Sequence, residues 1–205
     1  ISRDKLELRR ECVRLETVID AAVETSRPAI DASHHQLRVQ IPEDDIIIDG
    51  DPVRLSQVFS NLLNNAAKYT PDGSEITLSM VRREGSAIIT VSDTGIGISS
   101  EMLPRVFEIF AQAEPATSRA QGGLGIGLSL VRGLVQLHGG TVTAERAPGG
   151  CGSQFVVTLP VAARAEVRPR DETVAPSPVI RHRALVVDDN RDSADSLAAV
   201  LELMG

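Results

Sequence analysis

Three polar side chains, Asn61, Asn65 and Lys68, fall on one side of a helix that the sequence predicts. At about 100° per residue they lie within roughly 60° of arc, beside the apolar face of that helix. Two amide oxygens and an ammonium group placed in this way can hold a hydrated Mg²⁺ and the phosphates that it bridges, because Mg²⁺ prefers oxygen ligands. A polar, solvent-exposed stripe explains the same pattern, and the spacing alone does not decide between the two.

A second motif, "DTGIGI" at residues 93–98, directly follows a predicted strand. A carboxylate at the end of a strand can accept a hydrogen bond from an exocyclic amine, and the neighbouring glycines let a ring approach the backbone. Adenine carries such a donor where guanine carries an acceptor, so Asp93 in this role would select adenine. An ordinary Asp-Thr-Gly turn is the alternative.

A third motif, "GGLGIGLSLV" at residues 122–131, places glycines at alternate positions just before an apolar helical pattern. The free N–H groups of that helix's first turn could cradle phosphate oxygens. The motif is not a Walker A loop, because no Gly-Lys-Ser/Thr follows, and it is not the G-x-G-x-x-G of a βαβ unit.

The elements that must position these motifs are predicted from periodicity and punctuation. Asp51 and Pro52 start a helix that runs to Tyr69 and ends before Pro71. Its apolar face comprises Leu55, Val58, Phe59, Leu62 and Ala66. Further helices are predicted at residues 15–34, 99–110 and 124–138, and strands at 36–41, 75–82, 86–92, 141–145 and 153–160. The last four strands form two hairpins, so the pattern predicts an α+β sandwich.

Composition excludes some classes of protein. The 205 residues carry a net charge of -7, which argues against a general nucleic-acid binder. No apolar run is long enough for a membrane span, and Cys12 and Cys151 fit no metal or disulfide spacing, so we expect a cytoplasmic protein. The chain opens inside a helical pattern and stops just after another, which we interpret as part of a longer protein.

Together, "NLLNNAAKYT", "DTGIGI", "VFEIFAQ" and "GGLGIGLSLV" resemble the four signature boxes of the histidine-kinase catalytic and ATP-binding domain. That domain belongs to the superfamily that it shares with DNA gyrase and MutL. The resemblance covers residues 11–162 and implies the Bergerat-type fold, a two-layer α/β sandwich with helices packed on a mixed, largely antiparallel sheet. It also implies that ATP and Mg²⁺ are the cofactors.

The resemblance assigns roles to individual residues. Asn65 would be the principal Mg²⁺ ligand with Asn61 beside it, Lys68 would touch the phosphates, and Asp93 would accept from the adenine amine. Phe107 and Phe110 would anchor a mobile ATP lid at residues 111–123. The implied ATP-binding residues are Asn61, Asn65, Lys68, Tyr69, Asp93, Gly95, Gly97, Ile98, Phe110, Gly123, Leu124, Gly125, Gly127 and Leu128. The implied catalytic residues are Asn61, Lys68 and Arg119, although Arg119 is equally well explained as a solvated loop arginine.

Asn61 also separates a kinase from a hydrolase. In the hydrolysing relatives the matching residue is a glutamate that activates water, and an amide cannot take up a proton at neutral pH. The nucleophile implied by the family is a histidine on a dimerisation hairpin, of which residues 1–10 resemble the end. We expect that histidine upstream of Ile1, interpret His34 and His35 as structural, and expect His138 to interact with a helix C-terminus.

The last 22 residues, "ALVVDDNRDSADSLAAVLELMG", resemble the first strand and first helix of a response-regulator receiver domain. Asp188 and Asp189 match the acidic pair that holds Mg²⁺ there, and the phosphoacceptor aspartate would lie beyond Gly205. Residues 163–183 hold several prolines and arginines without periodicity and are predicted to be a linker.

The leading hypothesis is that this chain is part of a hybrid sensor histidine kinase that forms homodimers through its hairpin. It would bind Mg·ATP, transfer the γ-phosphoryl group to the hairpin histidine and pass it to an aspartate of the attached receiver or of a separate response regulator. A serine-directed kinase of the anti-sigma-factor type and a non-catalytic, ATP-dependent interaction module remain alternatives. A gyrase-like hydrolase fits least well because of Asn61.

Overall fold

Helices packed on one face of a mixed sheet make up the fold in the computed structural model, which describes residues 8–111, 126–147 and 151–162. These residues all belong to the first of the two units into which the chain divides, Ile1–Ala165. The helices are α1 (Leu15–Ala32), α2 (Pro52–Tyr69) and α3 (Gly127–Leu137). The strands are β1 (Glu11–Arg14), β2 (Gln36–Gln40), β3 (Ile47–Gly50), β4 (Glu75–Arg83), β5 (Ser86–Asp93), β6 (Thr141–Arg146) and β7 (Ser153–Pro160).

The main sheet has five strands in the order β2-β4-β5-β7-β6. Strand β2 runs parallel to β4, and the other neighbouring pairs are antiparallel. The predicted α+β sandwich with a mixed, largely antiparallel sheet is therefore confirmed, and so are both predicted hairpins. Because Ser92 pairs with Gln154, the end of β5 at Asp93 meets the start of β7 at Ser153.

Strict alternation along the strands places one side of the sheet against the helices. On β5, Ala87, Ile89 and Val91 are buried between half-exposed neighbours. All five residues of the predicted apolar face of α2 are buried against this side of the sheet and the other helices. Full burial of each large apolar side chain contributes about 1.5–3 kcal/mol to the free energy of unfolding. Because α2 buries several such side chains, it is a central element of the core.

Helix α2 begins and ends where its sequence predicts. The Asp51 carboxylate accepts hydrogen bonds from the N–H groups of Val53 and Arg54, both at 3.1 Å. Pro52 occupies the first helical position, where its missing N–H is not needed. Thr70 takes an extended conformation ahead of Pro71, which ends the helix.

A small second sheet was not predicted. Strands β1 and β3 pair antiparallel, from Glu11 opposite Gly50 to Arg14 opposite Ile47. Strand β1 is short and largely exposed, so it carries no alternating apolar signal. A helix was predicted at residues 1–10. Residues 8–10 form no helix, and residues 1–7 lie outside the described part.

The helix predicted at residues 99–110 is wrong. Only a single 3₁₀ turn forms there, Leu103–Arg105, flanked by irregular turns. Pro104 lies in the middle of the segment, where it lacks an N–H donor and disfavours the helical conformation of the residue before it. Within the residues that the structure describes, no helix is both long and apolar enough to cross a membrane.

Candidate functional site

Asp93, the last residue of β5, is a buried carboxylate with an ordered set of hydrogen bonds. It is 4% exposed. Its Oδ1 accepts from the N–H of Gly95 at 2.8 Å and from the N–H of Ser153 at 3.2 Å. Its Oδ2 accepts from the hydroxyl of Ser153. A carboxylate has about four acceptor positions, so three donors fix its orientation and leave capacity for one more.

Glycines let the loop after β5 pack closely against its neighbours. A Cβ atom on Gly95 would lie 2.4 Å from the Tyr69 carbonyl oxygen and 2.8 Å from Oδ1 of Asp93. A Cβ atom on Gly97 would lie 3.0 Å from the Gly152 carbonyl oxygen. The two predicted glycines therefore hold the Asp93 loop between the end of α2 and the start of β7.

Thr70 adds an unpaired polar group beside Asp93. It is 5% exposed, and its hydroxyl has no hydrogen-bond partner among the described residues. The position of a Cβ atom on Gly95 lies 2.9 Å from this hydroxyl and 2.8 Å from Oδ1 of Asp93, so the two oxygens face the same small volume. The Thr70 hydroxyl therefore offers a further donor and acceptor beside the Asp93 carboxylate.

The amide stripe of α2 faces the start of α3. Asn61 and Asn65 are both half-buried. The Nδ2 of Asn61 donates to the Gln57 carbonyl oxygen at 2.9 Å, and its Oδ1 accepts no hydrogen bond from the described residues. A Cβ atom on Gly127 would lie 3.5 Å from that Oδ1. This oxygen thus points toward the first turn of α3, and it is the kind of ligand that Mg²⁺ prefers.

The first turn of α3 offers backbone donors. Its N-cap residue, Ile126, provides no side-chain acceptor, and no acidic side chain lies in the turn. Intrahelical bonding begins with the N–H of Leu130, which donates to the Ile126 carbonyl oxygen at 3.0 Å. Within the described residues, the N–H groups of Gly127, Leu128 and Ser129 have no acceptor, and together with the helix dipole such groups favour an anion.

Lys68 and Tyr69 lie on the exposed side of the end of α2. The Lys68 ammonium is 5.2 Å from the centre of the Tyr69 ring, a cation–π distance. The Tyr69 carbonyl oxygen accepts from the N–H of Ile96 at 3.3 Å. This bond joins the end of α2 to the loop that follows Asp93.

The apolar residues of the predicted set divide into two groups. Ile98 and Leu128 are half-buried and pack on the core, as does Phe107, which meets Phe155 edge-to-face with the ring centres 6.3 Å apart. Phe110 is 70% exposed. The structure therefore brings Ile98 and Leu128, but not Phe110, into the packed part of the domain.

Several predicted residues lie outside the described part of the chain. They are Arg119, Gly123, Leu124, Gly125, Asp188 and Asp189, together with the predicted lid and the predicted receiver segment. The helix predicted from Leu124 begins at Gly127 in the described residues, with Ile126 as its N-cap.

Sequence reasoning missed the partners that orient Asp93. Ser153 and Gly152 are 60 and 59 residues away from it in the chain, as the numbering shows. The signal was present: a Gly-Ser pair opens a strand, and that strand pairs with β5. Thr70 was also missed, although it directly follows the Lys68–Tyr69 pair.

Two histidines are buried in structural positions. The Nε2 of His35 lies 3.0 Å from the Ala67 carbonyl oxygen in the last turns of α2. The Nδ1 of His138 donates to the Leu134 carbonyl oxygen at 2.8 Å, which confirms the predicted interaction with a helix C-terminus.

A buried acceptor at a strand end, half-buried amides and a helix N-terminus are each groups that can bind part of an anionic, amine-bearing ligand such as a nucleotide. Residues 50–163 match the family described as histidine kinase-, DNA gyrase B-, and HSP90-like ATPase. The match spans more than half of the chain, and the chain belongs to this family.

Relatives within the family are histidine kinases. The chain is 38% identical over 161 residues to histidine protein kinase DivJ of Caulobacter vibrioides, covering 78% of this chain and 27% of DivJ. The structure of the mycobacterial sensor histidine kinase MprB aligns with a TM-score of 0.64 and 28% identity, over 74% of this chain and 97% of that one. Full-length ShkA in complex with AMPPNP aligns with a TM-score of 0.66 and 26% identity, over 77% and 32% of the two chains. The chain thus spans about a quarter of the length of DivJ.

Proposed function

We propose that this domain binds Mg·ATP between α2, α3 and the Asp93 loop. The observation that carries the proposal is the buried Asp93 carboxylate, which three donors orient and which retains one acceptor position. The exocyclic amine of adenine donates to that position, whereas the guanine oxygen would meet a carboxylate oxygen and be repelled. The base accordingly lies over Gly95, with the Thr70 hydroxyl beside it.

The phosphates extend from the base toward the start of α3. The N–H groups of its first turn and the Lys68 ammonium bind the phosphate oxygens, with Gly123 and Gly125 extending the glycine-lined end of the site. The amide oxygens of Asn65 and Asn61 hold Mg²⁺, which when bound neutralises charge on the phosphate oxygens. Tyr69 packs near the adenosine, as do Ile98 and Leu128, and Phe110 with Arg119 contacts the nucleotide through the lid.

We further propose that the bound ATP serves as a phosphoryl donor rather than as a substrate for water. Asn61 cannot act as a general base, because an amide does not take up a proton at neutral pH. The γ-phosphorus bond to the bridging oxygen breaks as a bond to a histidine nitrogen forms, and ADP leaves with that oxygen. The relatives DivJ and MprB are named as histidine kinases, which supports the same acceptor chemistry here.

The wider arrangement follows the same proposal. The acceptor histidine belongs to a dimerisation hairpin that ends before residues 8–10, which form no helix, and the full protein is a homodimer. Residues 184–205, after the linker at residues 163–183, begin a receiver domain in which Asp188 and Asp189 are the acidic pair. The phosphoryl group then passes to an aspartate of that receiver or of a separate response regulator in a two-component phosphorelay.

Calorimetry with nucleotides tests the binding part of the proposal. The wild-type chain should bind Mg·ATP with a preference over Mg·GTP of at least about tenfold, since a good hydrogen-bond pattern contributes about 1–3 kcal/mol of discrimination. Asp93→Asn should abolish the preference, and Asp20→Asn, a matched change on the exposed side of α1, should leave it intact. Equal binding of ATP and GTP by the wild-type chain would contradict the assignment of the base pocket.

Transfer of label from γ-labelled ATP tests the catalytic part. A separately supplied hairpin domain bearing the acceptor histidine should acquire acid-labile label in the presence of this chain and Mg²⁺. Acid-stable label on a serine would instead indicate the serine-directed kinase. Tight ATP binding without any transfer would indicate an interaction module.

A further inference from the structure

A set of hydrogen bonds surrounds the buried Asp51 and His138, at the start of α2 and the end of α3. The N–H of Asp51 donates to Nε2 of His138 at 3.0 Å, and the N–H of Arg9 donates to the Asp51 carboxylate at 3.0 Å. The Arg10 guanidinium donates to the Leu137 carbonyl oxygen at 2.5 Å. We call these groups, Arg9, Arg10, Asp51, Leu137 and His138, the N-terminal cluster.

The cluster connects the two helices of the proposed nucleotide site at their other ends. Asp51 caps the start of α2, which carries Asn61, and Leu137 ends α3, which starts at Gly127. Ten residues separate Asp51 from Asn61, and ten separate Gly127 from Leu137, so each helix spans about 15 Å between the cluster and the site. The Oδ1 of Asn61 faces Gly127 at the far end. The two helices are thus joined at the cluster and face each other across the site.

His138 can make this connection only as a neutral ring. Its Nδ1 carries the hydrogen that is donated to Leu134, so Nε2 must be unprotonated to accept from Asp51. The ring is 2% exposed, and a Cβ atom on Gly50 would lie 2.9 Å from it, so no other side chain fits between the ring and β3. A second proton on the ring would place two donors against each other.

The charged groups around His138 do not offset the effect of burial on the pKa of its imidazole. Burial lowers the pKa of the imidazole, and the hydrogen bond to Leu134 opposes that change. The Arg10 guanidinium lowers the pKa further, while the Asp51 and Asp49 carboxylates raise it. The balance leaves the pKa below its usual value, so the ring is neutral at neutral pH.

We propose that His138 is a positioning residue: with Arg10, its neutral ring couples the chain segment at residues 9–10 to the spacing of α2 and α3 and so to nucleotide affinity. This inference rests on the proposed function. A movement of residues 9–10 displaces Asp51 and Leu137 at the same time. The rigid helices α2 and α3 transmit this displacement to Asn61 and Gly127.

Three variants and a matched control test the coupling in the full chain. His138→Ala removes the acceptor, and His138→Gln keeps an acceptor that does not titrate. Arg10→Ala removes the bond to Leu137 and the 3.3 Å ion pair with Asp49 from a side chain that is 42% exposed, so the variant should fold. The control is Arg14→Ala, since among the described residues the Arg14 guanidinium pairs with Glu16 and Asp45 and hydrogen-bonds to neither α2 nor α3.

We expect the dissociation constant for Mg·ATP at neutral pH to rise by about five- to tenfold in His138→Ala and in Arg10→Ala, the range usual for coupled sites. His138→Gln and Arg14→Ala should stay within about twofold of the wild type. The double variant of Arg10 and His138 should lose less affinity than the product of the two single effects, because both act on one connection. On acidification, the wild type should lose more affinity for Mg·ATP than His138→Gln does. Comparing the two proteins removes the effect of protonating the nucleotide itself, because that effect is the same for both.

Amide hydrogen exchange supplies a readout that needs no nucleotide. Exchange at Leu130, near the start of α3, should accelerate several-fold in Arg10→Ala and His138→Ala and stay unchanged in Arg14→Ala. If the wild-type chain binds no Mg·ATP, the proposed function fails, and the exchange experiment still decides whether the cluster is coupled to α3. Unchanged exchange at Leu130, or His138→Ala binding Mg·ATP with wild-type affinity while being less stable, would overturn the inference.

Discussion

Gly152→Ala should damage the Asp93 site more than any comparable glycine substitution. A Cβ atom on Gly152 would lie 1.9 Å from the Asp93 carbonyl oxygen and 2.9 Å from the Thr94 Cα. An ordinary contact needs about 3.5 Å, so the start of β7 and the end of β5 must separate by roughly 1.5 Å. Such a displacement breaks the hydrogen bonds that Ser153 donates to the Asp93 carboxylate.

The magnitude follows from two separate costs. Gly152 has a φ of +89°, and the left-handed conformation costs an alanine about 1–2 kcal/mol. Loss of hydrogen bonds to an ionised carboxylate costs about 1.5–3 kcal/mol each. The free energy of unfolding should therefore fall by about 3 kcal/mol or more. Because Asp93 loses its orientation, the dissociation constant for Mg·ATP should rise by at least about tenfold, or 1.4 kcal/mol.

Gly85→Ala is the matched control. Gly85 has a φ of +77°, and a Cβ atom there would meet nothing within 4 Å. This variant should lose only the backbone cost of about 1–2 kcal/mol and keep wild-type nucleotide affinity. Urea unfolding and calorimetry measure the two quantities for both variants. If they are equally destabilised and both bind Mg·ATP normally, the close packing of Gly152 on Asp93 does not matter and the reasoning is refuted.

Three further predictions concern the surroundings of the site. Thr70→Val removes a buried hydroxyl that has no partner among the described residues, so the free protein should be as stable as the wild type or slightly more stable. Binding of Mg·ATP should weaken by about 1 kcal/mol. A loss of stability in urea unfolding together with unchanged affinity in calorimetry would contradict this prediction. The free energy of unfolding should decrease as the pH falls below 6.5. Burial lowers the pKa of His138, so the unfolded chain takes up a proton that the folded chain does not. In urea titrations, His138→Gln should reduce this dependence of the unfolding free energy on pH. Gly133→Ala, where a Cβ atom meets nothing within 4 Å, should stabilise α3 by about 0.5–1 kcal/mol, and a lower midpoint would show that the site is crowded.

Local signals predicted the elements that they directly control. The Asp51–Pro52 start and the Pro71 stop gave α2 its observed limits, because capping and proline geometry act within a few residues. Alternation of apolar residues likewise located β4 and β5. Where two local signals conflict, as at Pro104 in an otherwise helical pattern, the prediction was wrong because the backbone requirement overrides side-chain periodicity.

The rest depended on contacts between distant parts of the chain. Asp93 was predicted from its own motif, but Ser153 and Gly152, which orient it, are placed only by the pairing of β5 with β7. Strand β1 is defined only by its partner β3, since its residues are mostly exposed. The connection of His138 to Asp51 joins two helix ends that are 87 residues apart, and no spacing in the sequence indicates it.

A thermodynamic cycle between Asp93 and the adenine amine tests the central claim most directly. Calorimetry would compare Mg·ATP with the triphosphate of purine riboside, which lacks the exocyclic amine, on the wild-type chain, Asp93→Asn and the control Asp20→Asn. We predict that the wild type and the control favour ATP by at least about tenfold and that Asp93→Asn shows no preference, since a hydrogen bond to a charged group contributes about 1.5–3 kcal/mol. Equal affinity of the wild type for both triphosphates, or a preference that persists in Asp93→Asn, would contradict the account.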